Sequence, residues 1–405
     1  MSETNAKKVR EPLFHIEKRA NMSAKKAWTI RLCSVLASLL LCSILATILI
    51  DVNPFEFFAY IFEGAVGTEN RIWRLLRETA LLLGVAIALA PAFRMKFWNL
   101  GANGQVLVGC LSTTACMFLL GGKVPNGVLF ILMFFSSVVS GAIWAALPAV
   151  CKALWKTNES LFTLMMNYIA EGLVAYFLSV WVKSGSGTLD PMTEYQLPKI
   201  INADVLPIIV AALLTAGMFV YMKYSKHGYE ISVVGESENT ARYVGINVKK
   251  VVIRTLILSG AICGVMGFLI SGALDGTVSE TSAANRGFTA IMVVWLGKIN
   301  PGIMAAMAFF VCFLNRGVSQ ARTRFHLTND AFCDIVSAIV FFFLIGSEFF
   351  ISYALKSGER WKKFTAKIKG IFKKKKSEKV AEVAGEPAGE AAEKDEAAEK
   401  TKEGK

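Results

Sequence analysis

The stretch that decides the fold is VPNGVLFILMFFSSVVSGAIWAALPAVC, residues 124–151, which runs for 28 residues without a charged side chain. About 20 such residues cross the hydrocarbon of a bilayer as a helix, which also satisfies its own backbone polar groups there. Four further stretches behave alike: Leu32–Ile50 (19 residues), Phe97–Gly122 (26), Val205–Met222 (18) and Thr255–Leu274 (20) carry no charge. The first cannot be a cleaved signal peptide, because a long polar segment precedes it and it exceeds the usual apolar core of such peptides. Over the 405 residues, 54% of side chains are apolar and 19% charged, against about 25% charged in soluble domains. An ordinary soluble enzyme is excluded, and the chain reads as an all-α polytopic membrane protein.

Charge sets the ends apart. Residues 1–28 form a basic segment with Lys7, Lys8, Arg10, Lys18, Arg19, Lys25 and Lys26, and Lys356–Lys379 holds eleven Lys and Arg, including Lys373–Lys376. By the positive-inside rule both termini belong in the cytoplasm, so the number of crossings is even. Internal loops carry Lys and Arg in similar numbers on both sides, so orientation rests on the two tails. Residues 355–405 turn from basic to Ala/Glu/Lys-rich without an aromatic residue after Lys379, a composition that buries too little to order itself. The basic tail suits anionic membrane lipid, with no need of nucleic acid.

Residues 29–354 then form the transmembrane domain of about ten helices (8–10), with spans expected at 29–50, 79–93, 104–121, 127–150, 161–182, 205–223 and 251–274. Gly287–Leu296, Ile303–Leu314 and Ala331–Phe350 complete it. The first two are short and flank Asn300-Pro301-Gly302, so 287–302 reads as either a full span or a re-entrant segment. The longest internal loop, 223–254, holds six basic residues and is cytoplasmic on this topology. Within it Ser237 can cap a helix, Glu236 and Glu238 sit at its positive end, Arg242 near its negative end, and Gly245 terminates it. A short capped helix between two spans suits a mechanical contact with a partner, or a plain surface helix.

Chemistry-bearing residues are few. Eight cysteines, scattered without a C-x-x-C pair, and three histidines without ligand spacing give no metal or cofactor site, and no catalytic residues are expected. No nucleotide-binding loop occurs, since Gly121-Gly122-Lys123 is followed by Val124. Polar groups inside apolar spans are costly and therefore informative. Asn99, Asn103 and Gln105 share one segment with Gly101 and Gly104, while Glu159, Thr163, Asn167 and Glu171 recur every four residues and share one helix face. Asn99, Asn103, Gln105, Asn167 and Glu171 are candidates to line a path for a polar solute; amide-assisted helix packing is the bland reading. Asn99-x-Gly101 and Asn285-x-Gly287 have the placement of an inverted repeat, over three positions only.

Together these segments resemble the permease subunits of bacterial ABC importers, in the branched-chain amino acid, ribose and nucleoside-type family. Phe97 to Gln105 is similar to that family's F-N-I-G-A-E-G-Q segment, and Asn158-Glu159-Ser160 to Asn167-Tyr168-Ile169-Ala170 to its N-E-V-I … M-L-N-Y-I-A stretch. Gly228-Tyr229-Glu230 through Gly245-Ile246-Asn247 resembles its cytoplasmic coupling loop, and Leu258-Ser259-Gly260-Ala261 with Gly264 and Gly267 the span after it. The resemblance covers roughly residues 70 to 350 and is closest to the nucleoside or simple-sugar branch. It implies a multi-pass protein of the bacterial plasma membrane with ATP-binding subunits, a second related permease and an extracellular lipid-anchored or periplasmic solute-binding protein as partners. The implied coupling residues are Gly235, Glu236, Arg242 and Gly245. Asn103 replaces the family's usual acidic residue, and Thr289 stands where the branch commonly has Asp. The rival from another class is an ion-coupled secondary transporter with Glu171 and Asp334 as coupling acids.

Overall fold

The computed structural model describes residues 14–19, 22–50, 53–182, 188–325 and 331–357. The tail with Lys373–Lys376, the first thirteen residues and the Asp334 side chain lie outside the described residues. Among those described, nine helices are long and apolar enough to cross a membrane. They are α1 (Ala24–Ile50), α3 (Glu69–Arg94), α4 (Ala102–Leu120), α5 (Asn126–Trp155), α6 (Glu159–Trp181), α7 (Val205–Tyr224), α10 (Val248–Phe268), α12 (Pro301–Arg324) and α13 (Ala331–Ser352). The shorter helices are α2 (Pro54–Val66), α8 (Lys226–Glu236), α9 (Glu238–Tyr243) and α11 (Arg286–Leu296).

The chain divides into two compact units, residues 37–342 and a smaller one made of 1–36 with 343–405. In the smaller unit an antiparallel pair, β1 (Phe14–Lys18) and β2 (Tyr353–Ser357), is an addition to the expected all-α architecture, and β2 straddles the expected 354/355 boundary. Arg31 and Glu348 form an ion pair there, and Ser34 Oγ donates to the Phe343 carbonyl at 2.6 Å.

In the larger unit α3 and α10 are central, with 78% and 83% of their most apolar stretches buried, whereas α7 reaches only 17%. Small residues let α10 lie this deep: Gly264 backs onto the Ser137 carbonyl of α5, and Gly109 of α4 backs onto Gly264. Backbones approach closely where side chains are absent, the usual seam between membrane helices. At its far end α10 continues as a π-helical turn, Leu269–Asp275, and stops at Gly276 with φ +65°.

Two helices begin on the same device. Asn53-Pro54 opens α2 and Asn300-Pro301 opens α12, with the Asn side chain accepting from Phe55 N (3.0 Å) and Gly302 N (3.1 Å), and Pro fitting the first turn where no N–H is needed. α2 was not expected from the apolar pattern; it packs on α12, Gly64 against Gln320 and Gly317 against Ile61. α3 starts ten residues before the expected Glu-free span, because Thr68 caps Arg71 N at 3.4 Å and the charges of its first turns find partners. α11 has 11 residues, about 16 Å, half of the hydrocarbon thickness. It runs beside α3 from Arg286, bonded to Glu78, to Ile299, which shares a cavity with Arg94. It is thus a half-length helix that brings the chain back along α3.

Candidate functional site

The polar segment between α3 and α4 is where the broken backbone is held. After α3 ends, Lys96 adopts φ +60° and residues 97–101 run without helix until α4 starts at Ala102. Gly101, at the cap position, contributes no side chain to satisfy the free N–H groups of the first turn. α6 supplies the missing partners. Asn167 Oδ1 accepts from Gly104 N at 2.8 Å, Asn167 Nδ2 donates to the Leu100 carbonyl at 2.9 Å, and Thr163 Oγ1 accepts from Leu100 N at 3.1 Å. A side chain on Gly104 would meet the Asn167 Cα at 3.0 Å, so glycine is what lets the two backbones close up.

Asn99 Oδ1 accepts from Gly101 N at 3.0 Å and from Gln105 Nε2 at 3.3 Å, while Asn103 Oδ1 accepts from Gly287 N, at the start of α11, at 3.3 Å. Asn99, Asn103, Gln105 and Asn167 are thus brought together, all 4% exposed or less, and they latch α4 to α6 and α11. Most polar atoms of these amides are spent on the latch, and two, Asn99 Nδ2 and Gln105 Oε1, are buried without a hydrogen-bond partner. Glu171 is not part of the latch. It is half-buried one helical turn beyond Asn167 on α6. Of the two Asn-x-Gly segments, the second reaches α4 beyond the first, Gly287 abutting Asn103 two residues past Gly101. Their side chains differ in role: Asn99 caps locally, whereas Asn285 sits at φ 52° and makes no cap bond.

The expected single helix in the 223–254 loop is two. Ser225 caps α8 through Gly228 N (3.0 Å) and Ser237 caps α9 through Thr240 N (3.3 Å). Glu236 therefore ends α8, at its negative terminus, while Glu238 opens α9 and pairs with Arg242 at 3.5 Å. Gly245 closes the turn at φ +79°. Ile231, Val234 and Ala241 are buried with Met95, Phe97, Ala149, Val251 and Leu256, so the inner face of this lobe is welded to the ends of α3, α5 and α10. Gly235 sits against the Arg94 carbonyl, Arg94 Nε donates to Ser232 Oγ at 3.3 Å, and Arg254 pairs with Glu230 at 2.8 Å. The outer tip carries Tyr243, 92% exposed, and Val244. The sequence reading missed these two, although an aromatic and a valine between Arg242 and Gly245 in a polar loop were the signal.

A second polar group lies near the other end of α3. Glu78 accepts from Arg286 (2.7 Å) and Arg316 (2.8 Å) and lies 3.1 Å from Arg77, which also bonds Asp204 at 2.6 Å. From Glu78 to Arg94 is about 24 Å along the helix, so this hub and the α8–α9 lobe occupy opposite ends. No group of His, Cys, Asp or Glu that could hold a metal ion occurs among the described residues.

Residues 71–345 match the model of the branched-chain amino acid transport system / permease component family. A glucose ABC transporter permease of Haloferax volcanii is 26% identical over 84% of this chain and 93% of its own length. A guanosine ABC transporter permease of Bacillus subtilis is 26% identical over 72% of this chain and 85% of its own. A nucleoside ABC transporter permease of Lactococcus lactis is 26% identical over 77% and 90%. With nine apolar helices among the described residues, a capped lobe at one end and a family match across its core, the chain is a multi-pass membrane protein that belongs to the branched-chain amino acid transport system permease family, a transport component and not an enzyme.

Proposed function

We propose that this chain is the membrane-spanning permease subunit of an ATP-binding-cassette importer for a small polar solute, a nucleoside first and a simple sugar next. Separate ATP-binding subunits drive alternating access between outward-open and inward-open states. The observation that carries this reading is the α8–α9 lobe. Its inner face is fixed to three helix ends while its tip, Tyr243 and Val244, is exposed apolar surface on a loop that has no structural use for it. Such a lobe transmits a push. Gly235, Glu236, Arg242 and Gly245 act as the coupling residues, with Gly235 bearing on the end of α3.

The solute passes beside the amide latch. Opening of the helices exposes Asn99 Nδ2 and Gln105 Oε1, a donor and an acceptor left unused in the closed packing, and a solute trades water for them. Asn103 and Asn167 frame this point and Glu171 lies beyond it on α6. An outward solute-binding protein and a second permease complete the assembly, with both termini in the cytoplasm of a bacterial cell.

The test is deletion of residues 235–245, with Tyr243→Asp/Val244→Asp as the milder variant. ATP-driven uptake should be abolished while membrane insertion persists. Uptake that survives, or uphill uptake by this chain alone under an ion gradient, refutes the reading.

A further inference from the structure

The Glu78 hub borders a cavity of about 330 Å³ lined by Glu78, Arg286, Thr289, Asn315, Arg316 and Ser319, with Leu82, Ala284 and Cys312 as its apolar remainder. Nothing in the amide latch explains it. Binding cavities of this size, apolar with a few convergent polar groups, are the usual form of a small-molecule site, and charged residues within membrane spans mark function by default.

Its chemistry can be read group by group. Three guanidiniums (Arg77, Arg286, Arg316) face two carboxylates in direct contact, Glu78 and Asp204, and of these Glu78, Arg286 and Arg316 line the cavity. The one carboxylate of the lining is committed to two guanidiniums, so the cavity offers nothing to a cation. What it has in surplus is hydrogen-bond donors. Arg316 commits one nitrogen to Glu78 and is 37% exposed, leaving donors of its planar fork unused. Asn315 Oδ1 accepts from Ser337 Oγ at 2.7 Å, which leaves its amide N–H₂, and Ser319 is exposed. Thr289 donates to the Asn285 carbonyl at 3.3 Å and keeps its lone pairs. Both oxygens of Glu78 are occupied by arginines and cannot serve a ligand.

We propose that this cavity is the subsite where the solute is first accepted, and that it selects an uncharged molecule rich in acceptor oxygens, such as the carbonyl and hydroxyl groups of a nucleoside or sugar. Arg316 and Asn315 donate to it, and Thr289 accepts from it. The cavity opens at the start of α11, whose Gly287 is tied to Asn103, so a bound solute lies next to the latch. The inference rests on the importer reading for its direction, with the hub end of α3 facing outward.

The experiment is cysteine protection at Ser319→Cys in right-side-out vesicles carrying the full-length chain with its partner subunits. A membrane-impermeant thiol reagent is applied with guanosine, glucose or glutamate, and the parent chain supplies the background. The expected result is labelling above background, slowed at least tenfold by saturating guanosine or glucose and not by glutamate. Protection should fall about tenfold when Arg316→Lys, which keeps the charge but not the fork, is added to the same background; Thr289→Val is the second variant. Absent labelling, labelling that neither neutral compound slows, or equal protection by glutamate overturns the proposal. ATP-driven uptake by the parent vesicles is read separately: its loss counts against the importer reading, while protection, which reports binding alone, still decides the cavity.

Discussion

Asn167→Leu separates a structural latch from a solute contact. The substitution keeps the side chain's size and removes two hydrogen bonds, to Gly104 N (2.8 Å) and to the Leu100 carbonyl (2.9 Å), at a site 2% exposed. Each buried polar group left alone costs about 1–3 kcal/mol, so two give an upper range of about 2–6 kcal/mol. Side-chain hydrogen bonds between membrane helices average only about 0.6 kcal/mol, because the unfolded state in the membrane finds other partners. Here the orphaned groups belong to a helix first turn and to non-helical backbone, which have no intrahelical partner to fall back on. We therefore expect a loss of about 2–4 kcal/mol, toward the larger figure. The assay is detergent-driven unfolding of the purified full chain followed by circular dichroism, with Thr163→Val as the single-bond comparison expected at about half the effect. A loss at or below about 0.6 kcal/mol, with solute uptake abolished, would refute the latch and make Asn167 a contact of the path.

Glu78→Gln should destabilise by about 3 kcal/mol, the lower end for breaking a buried ion pair because Arg316 is partly wet; unfolding indistinguishable from the parent would speak against the hub. Arg31→Leu and Glu348→Leu should each cost about 3 kcal/mol while the double variant recovers most of it, since two apolar groups replace a buried pair at little net cost; strictly additive losses in the same unfolding assay would show that the two residues do not interact. Gly235→Val should uncouple: its Cβ would strike the Arg94 carbonyl, so ATP-driven uptake falls while ATP hydrolysis by the assembled complex continues. Unchanged uptake removes Gly235 from the coupling contact.

The long spans were legible because apolar length is a one-dimensional property: α4, α6, α7 and α10 with its π-helical turn lie within about three residues of the spans expected at 104–121, 161–182, 205–223 and 251–274. What escaped was whatever depends on a partner elsewhere in the chain. The first turns of α3 fall outside the expected span at 79–93 because they carry Arg71, Arg74 and Arg77, and only the fold brings Asp204 to Arg77. Asn167 was visible as a polar group on a helix face, but its use as a cap for another helix depends on Gly104 lying against it. The hub at Glu78 was invisible for the same reason, being assembled from residues 78, 286 and 316. α2 could have been found: Asn53-Pro54 with Gly67 beyond carries start and stop signals that the hydropathy reading passed over.

If a push at the α8–α9 lobe is to reach the hub about 24 Å away, some interface between must slide and others must hold. The hub cannot slide: its guanidiniums and carboxylates either meet or separate. The seam of α10 against α5 and α4 can, because glycine at 109, 141, 260 and 264 leaves no side-chain knobs across it, whereas an interlocked core has discrete packings. Gly264→Ala tests this division of labour. The added Cβ meets the Ser137 carbonyl and Val138 Cα, both backbone, so the helices must part slightly, an overpacking cost of about 1–3 kcal/mol. A static seam would show that loss in unfolding and nothing more. A sliding seam would also slow ATP-driven uptake more than the folded fraction accounts for, because the methyl group must be carried over neighbouring carbonyls at every cycle. Uptake that tracks the folded fraction in Gly264→Ala would place the moving interface elsewhere.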